Sequence, residues 1–305
     1  MPRFSDIVDL AITKGNEGLR PVIEKEILHY DIMFALDKSG LLDNLVFQGG
    51  TCLRLCYGSH RFSEDLDFVG GVAFANAQLQ QIRECVMDHI GARYGLEVHV
   101  KDPKQMREEP TYHGLEVDRW QVAVVTNAGR SDLPTQKIKL EVANVPAHTR
   151  VLTNLDRNYS FLPDSYQDLL LPVETMDEIL ADKIVSLSAC QSYIRYRDIW
   201  DIRWLSQEGA KIDEKLVEAK IRDYRSPNFV DALRVMRDDV KDISSSATFR
   251  DEMSRFIDAR VRGGTIDRPG FGEFVGERVS RVLNQVGTRI YGREFDNEPD
   301  DFIIG

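Results

Sequence analysis

Phe47-Gln48-Gly49-Gly50-Thr51-Cys52-Leu53-Arg54-Leu55-Cys56-Tyr57, continued by Gly58-Ser59-His60-Arg61-Phe62-Ser63-Glu64-Asp65-Leu66-Asp67-Phe68, is the stretch whose reading decides the fold. Leu45-Val46-Phe47 is a short apolar run closed by Gln48-Gly49-Gly50, which predicts a buried strand running into a glycine turn. Thr51 to Tyr57 predicts a short helix that Gly58-Ser59 breaks. Arg61 to Val69 then alternates like a strand, and Gly70-Gly71 closes it. Glycines let the backbone turn tightly and approach a ligand closely. The helix that follows offers unpaired N–H groups and a positive dipole end, and the Thr51 hydroxyl adds a donor. Together these suit a phosphate, although Gly-Gly-Thr by itself occurs in many ordinary turns.

Asp65 and Asp67 sharpen the reading. Residues i and i+2 of a strand share a face, so the two carboxylates lie together while Leu66 and Phe68 point to the core. Neighbouring carboxylates repel unless a cation sits between them. Mg²⁺ takes hard oxygen ligands, commonly one or two carboxylates with phosphate oxygens. A third acid comes from Ile138-Lys139-Leu140-Glu141-Val142, where alternation leaves Lys139 and Glu141 on one face. If that strand lies beside the Asp65–Asp67 strand, Glu141 joins the cluster, and three carboxylates can serve two metals. The plainer alternatives are a solvated strand face for the pair and an ordinary surface acid for Glu141.

Working outward, Pro21 suits a first helical turn. Ile23, Ile27, Leu28 and Met33 keep helical spacing up to Ser39-Gly40. Residues 74–95 predict an amphipathic helix, and 96–100, 120–125 and 137–143 predict strands. Residues 144–172 are loop-rich, with Pro146, Pro163 and Pro172, and mark the candidate domain boundary. The remainder reads as helical, broken at Pro227, Gly263-Gly264 and Pro269-Gly270. The expected fold is α+β (α/β): residues 1–170 form a small mixed sheet flanked by helices, and 171–305 form a helical C-terminal domain. No dinucleotide fingerprint or GxxxxGK[ST] loop is present.

The chain has 305 residues, 42% hydrophobic and 29% charged, which is a globular composition. Its net charge of −11 excludes binding to nucleic acid through general basicity, so a nucleic-acid partner needs a local basic surface. The first residues lack the apolar region of a secretory signal, which sets a cytoplasmic expectation. Four cysteines make no disulfide framework, and Cys52, Cys56, Cys85 and Cys190 read as small hydrophobes. Glu294 to Phe302 is dense in carboxylates and reads as a mobile tail.

The motif from Phe47 to Phe68, with Arg61-x-Ser63-x-Asp65-x-Asp67, resembles the AbiEii/AbiGii toxin family, within the nucleotidyltransferases related to DNA polymerase beta. Glu178-Ile179-Leu180-Ala181-Asp182-Lys183-Ile184 resembles that family's lysine helix, and Arg197-Asp198-Ile199-Trp200-Asp201 its downstream Arg-Asp-x-x-Asp segment. The resemblance implies a nucleotidyltransferase toxin of a toxin–antitoxin or abortive-infection system. Gly49, Gly50, Thr51, Arg61, Ser63 and Lys183 would bind the nucleotide. Asp65, Asp67 and Glu141 would bind Mg²⁺, with Asp65, Asp67, Lys183 and Asp198 as the catalytic set. The partners it implies are an NTP, a tRNA 3′ end as acceptor and a cognate antitoxin. Gln48 stands where the family more often has Lys, which removes a positive charge near the phosphates.

The second match carries a physical condition. Thr175-Met176-Asp177-Glu178 has capping-box form and predicts a helix start. Lys183 and Asp198 would stand about 22 Å apart in one straight helix, so they share a site only if the chain turns, for instance near Gln191-Ser192. Arg54, Arg61, Tyr193, Arg195, Tyr196 and Arg197 are the basic and aromatic candidates for RNA. Two other readings compete: the same chemistry on an aminoglycoside-like small molecule or a protein, and a nucleotide-binding module without catalysis.

Overall fold

The computed structural model describes residues 3–103, 116–127, 135–190, 192–292 and 295. The acidic tail therefore lies, Phe295 apart, outside the described residues. The chain divides into two compact units, Met1–Thr175 with Arg255–Arg262, and Met176–Ser254 with Gly263–Gly305.

The first unit holds β1 (Val46–Gln48), β2 (Leu66–Val69), β3 (Val98–Lys101), β4 (Val117–Val124), β5 (Gln136–Ala143), β6 (Val151–Asn154) and β7 (Leu170–Val173). They form one seven-stranded sheet in the order β3-β4-β5-β2-β1-β7-β6. The β2–β5 and β1–β7 pairs are parallel and the others antiparallel. This is the mixed sheet expected from the sequence. Alternation works as predicted at its centre: Ile138, Leu140, Val142, Leu66 and Phe68 are buried, while Lys139, Glu141 and Asp67 on the other face are not. The unit's helices are α1 (Phe4–Ala11), α2 (Arg20–Lys38), α3 (Gly49–Cys56) and α4 (Ile82–Tyr94). In α2, Ile23, Ile27, Leu28 and Met33 are all buried, with Pro21 in the first turn. Gly95 ends α4 in the left-handed conformation, φ +67°, that suits a glycine cap.

Three sequence expectations shift. Arg61 to Asp65 is not strand: Arg61 forms only an isolated bridge with Ile257, and Phe62 N–H donates to Phe256 O at 2.8 Å. The stretch 144–172 contains two strands. β6 is mostly exposed and shows no apolar alternation, while β7 carries Pro172, which argues against a strand in sequence. Gly263-Gly264 ends α10 (Ala259–Gly264) instead of breaking a helix.

The second unit is helical: α5 (Met176–Ala189), α6 (Tyr196–Gln207), α7 (Glu214–Asp223), α8 (Phe229–Ser245), α9 (Ala247–Ser254) and α11 (Phe271–Tyr291). Every residue of α5 from Glu178 to Ser188 is buried, with α6, α7 and α8 packed on it. A helix buried all round is normally apolar, yet this one carries Glu178, Asp182 and Lys183. Each must find a partner, because an unpaired buried charge costs several kcal/mol. Glu178 meets Lys220 of α7 at 2.8 Å, and Tyr224 donates to Asp182. Helices α8 and α11 pack closely because Gly276 has no side chain: a Cβ there would lie 2.5 Å from Ser244 Oγ. Among the described residues no helix is long and apolar enough to cross a membrane.

His29 gives the fold a pH signature. It is 1% exposed on α2, and its Nε2 bonds the Glu64 carbonyl at 3.0 Å. Burial lowers its pKa from 6.5 to about 4. In that window the unfolded chain takes up a proton that the folded ring refuses, so stability falls as pH falls. Denaturant titrations at pH 7 and pH 4.5 should show His29→Gln losing about 2 kcal/mol less than wild type over that interval.

Candidate active site

Strand β1 delivers the chain to α3 through Gly49, whose φ of +77° lies in the region where glycine alone is unstrained. The same position needs a missing side chain for a second reason. A Cβ on Gly49 would stand 2.5 Å from Asp67 Oδ2, so the Asp67 carboxylate rests against the first turn of α3. The first N–H groups of any helix lack intrahelical acceptors, and here a carboxylate stands beside them. At Gly50 a Cβ would overlap the Arg61 guanidinium and stand 2.9 Å from Ser63 Oγ. Gly49, Gly50, Arg61, Ser63 and Asp67 are thus brought together.

Pairing across the sheet extends the group. Gln48 of β1 stands opposite Asp67 of β2, Asp67 opposite Glu141 of β5, and Glu141 opposite Arg119 of β4. Four strands therefore present Gln48, Asp67, Glu141 and Arg119 in one transverse row. Arg119 Nε bonds Glu141 Oε1 at 2.9 Å. Asp65, just before β2, accepts from Lys139 N–H at 3.1 Å. Burial, and then the charge of Glu141, push the Asp65 carboxyl above its ordinary value. The Thr51 hydroxyl, expected at a phosphate, donates instead to the Asp65 carbonyl and ties α3 to the chain entering β2.

Among the described residues no group of three or more His, Cys, Asp or Glu side chains is arranged to hold a metal ion. The expected three-carboxylate cluster is not gathered as a ready ligand set, because Arg119 holds the Glu141 carboxylate. Asp65 and Asp67 remain a hard-oxygen pair with Glu141 near enough to raise Asp65. That crowding is the kind a divalent cation relieves, so the residues fit a cation held by two carboxylates and completed by other oxygens.

The second unit holds its own polar cluster. The chain does turn between Lys183 of α5 and Asp198 of α6, and their side chains meet at 2.8 Å. Lys183 Nζ also lies 3.5 Å from Asp201 Oδ2. Ser186 Oγ donates to Asp198 Oδ2 at 2.7 Å, and Arg195 Nε donates to the same carboxylate. Burial would raise the Asp198 carboxyl, but Arg195, Lys183 and the Ser186 bond outweigh it and hold the group well below the usual carboxylate range.

The structure redistributes other candidates. Arg54 forks onto Glu26 at 2.8 and 3.1 Å, and Arg61 is 2% exposed, bonding Phe62 O, so neither belongs to an RNA surface. Tyr193 is exposed, and Tyr196 packs against Phe249. Two partners escaped the sequence reading. Arg119 sits one residue before the strand expected at 120–125, and only register places it on Glu141. Ser186 lies three residues after Lys183, hence on the same helical face, which is the signal that would have found it.

A family model, nucleotidyl transferase AbiEii toxin of type IV toxin–antitoxin systems, matches residues 31–277. Among solved structures, the nucleotidyltransferase toxin MenT4 (Rv2826c) from Mycobacterium tuberculosis H37Rv is similar, at 19% identity and a TM-score of 0.53, covering 95% of this chain and 99% of that one. JHP933 from Helicobacter pylori gives 18% identity and a TM-score of 0.44, covering 90% of this chain and 95% of that one. No curated protein gives a significant match. With a family model spanning the sheet, the Gly49–Asp67 contact and the Lys183–Asp198 pair, the chain belongs to the AbiEii family, the nucleotidyltransferase toxins of type IV toxin–antitoxin systems.

Proposed function

We propose that the protein transfers a nucleoside monophosphate from an NTP to the 3′ end of tRNA with Mg²⁺, so that the modified tRNA no longer accepts an amino acid and growth stops. The observation that carries this reading is Asp67, held against the first turn of α3 by the absence of a side chain at Gly49 and set in register with Glu141. A backbone that would receive an anion and a carboxylate that would bind a metal then lie side by side.

In this reading Gly49, Gly50 and the α3 N–H groups receive phosphate oxygens, with Arg61 and Ser63 supporting Gly50 from behind. Asp65 and Asp67 would hold Mg²⁺, and Glu141 would join them by exchanging its bond to Arg119. When bound, the cation would neutralise charge on the triphosphate and the leaving pyrophosphate. The freed Arg119 guanidinium supplies positive charge in the row where Gln48 supplies none. Lys183 keeps the role of neutralising phosphate charge. Asp198, held ionised by two cations, is too weak a base to take a proton; its role is to position the Lys183 ammonium together with Ser186. Type IV membership implies a cognate antitoxin as partner, and abortive phage infection is a setting in which such a pair would act.

Incubating the protein with each labelled NTP, Mg²⁺ and separated pools of RNA, protein and small molecules tests the proposal. The expected result is one added nucleotide on tRNA, located by mass analysis. Label confined to the small-molecule pool, such as an aminoglycoside, would overturn the tRNA reading.

Asp67→Asn should lower transfer by about a hundredfold or more, consistent with several kcal/mol of lost transition-state charge stabilisation, and should abolish growth arrest. Its melting temperature should stay within a few degrees of wild type. Asp198→Asn should instead destabilise the protein by about 3 kcal/mol, read by denaturant unfolding, because Lys183 keeps its charge in a buried setting with one carboxylate fewer.

A further inference from the structure

The net charge of −11 requires any RNA to be met by a local basic surface. Of the arginines the sequence offers for that surface, Arg54 and Arg61 are turned inward and Arg195 is bonded to Asp198. A groove lined by basic residues lies apart from them in sequence. In the second unit, the end of α6, the segment after it and one face of α11 enclose an open groove of about 420 Å³. Lys211, Arg278, Arg281 and Arg289 line it, and no acidic residue does.

Three features describe what it accepts. First, its charge is available. Arg289 is shared with Glu214 at 3.1 Å and with the Ile212 carbonyl. Among the described residues, Lys211, Arg278 and Arg281 have no ion-pair partner, so their charge is offered to solvent. Second, the cations are spread in a line. Arg278, Arg281 and Arg289 follow one stripe of α11, and the first and last stand about 16 Å apart by helical rise. That length exceeds a triphosphate and matches several successive phosphates of a polynucleotide. Third, the lining is short of the aromatic side chains that anchor protein–protein contacts. Guanidinium groups, in contrast, suit phosphate oxygens in bidentate fashion.

The groove is also joined to the Lys183 cluster by one rigid element. Ser206, on its wall, lies about 12 Å along α6 from Asp198. Lys211 N–H donates to Asp177 Oδ1 at 2.7 Å, which ties the groove's connecting segment to the start of α5.

We infer that this groove binds the phosphate backbone of the RNA acceptor, with Lys211, Arg278 and Arg281 as its phosphate contacts. The inference rests on the RNA-acceptor reading above and adds to it where the RNA is held. Phosphate contacts made by cations release counterions, so affinity falls with salt in proportion to their number.

The test is binding of fluorescent tRNA to the full-length protein over a range of KCl concentrations, in wild type, Arg281→Ala, Arg278→Ala/Arg281→Ala and Lys241→Ala. Lys241 is exposed on α8 and does not line the groove, so its variant controls for lost net charge. Each arginine removed should flatten the slope of log affinity against log salt by about 0.7–0.9, and the double variant should bind about tenfold more weakly near physiological salt. Slopes equal to wild type in both arginine variants would overturn the inference, as would an equal change in Lys241→Ala. Wild-type binding to polyglutamate but not to tRNA would overturn it in favour of an acidic protein partner. Label transfer separates this inference from the one beneath it. RNA labelled by wild type while the arginine variants bind RNA normally removes the groove and leaves the acceptor reading. RNA bound through the groove but never labelled removes the acceptor reading and leaves the groove.

Discussion

The parallel pairing of β2 with β5 is the constraint on which the rest of the first unit depends. It sets Asp67 opposite Glu141, with the half-buried Asp65 close enough to feel the charge of Glu141, so carboxylates gather on a sheet whose other face is packed with Leu66, Phe68, Leu140 and Val142. Crowded carboxylates are unfavourable unless something positive or a hydrogen-bond donor meets them. The protein answers with local devices: the first turn of α3 at Asp67, the Lys139 N–H at Asp65, and the Arg119 guanidinium at Glu141. Each of these contacts offers a carboxylate either a positive charge or a hydrogen-bond donor.

The second unit handles buried charge differently. Along α5, Glu178 and Asp182 face α7, where Lys220 and Tyr224 meet them, while Lys183 and Ser186 face α6 and meet Asp198. Removing either member of such a pair leaves an uncompensated buried charge, which costs several kcal/mol. In the Lys183–Asp198 pair the ammonium is held between two carboxylates, those of Asp198 and Asp201. The depressed Asp198 carboxyl follows from that arrangement, with Arg195, Lys183 and Ser186 all meeting it.

The legible part of the sequence was the part in which local pattern and local chemistry agree. The period-2 alternation around Leu140 and Leu66, the helical stripe of α2 and the glycine turn at Gly49-Gly50 each place residues without reference to distant chain. Expectations shifted where a distant partner intervenes. The place of Thr51 after the glycines suits a phosphate, but the chain entering β2 brings the Asp65 carbonyl to its hydroxyl. Arg54 and Arg61 looked like RNA contacts because arginines are usually exposed, yet Glu26 draws one inward and packing over Gly50 buries the other. β6 carries no pattern to read, since a mostly exposed strand needs no apolar face.

By itself the sequence determined the central strands, the main helices, the glycine turn and the family motif, because glycine conformation, alternation and helical spacing are properties of short segments. Only the tertiary structure decided which acids neighbour one another, that Arg119 occupies Glu141, that Lys183 reaches Asp198 across a turn, and that arginines on α11 gather with Lys211 around a groove. Those facts depend on strand register and helix packing, which are set by the burial of many side chains at once and are written in no single stretch of the chain.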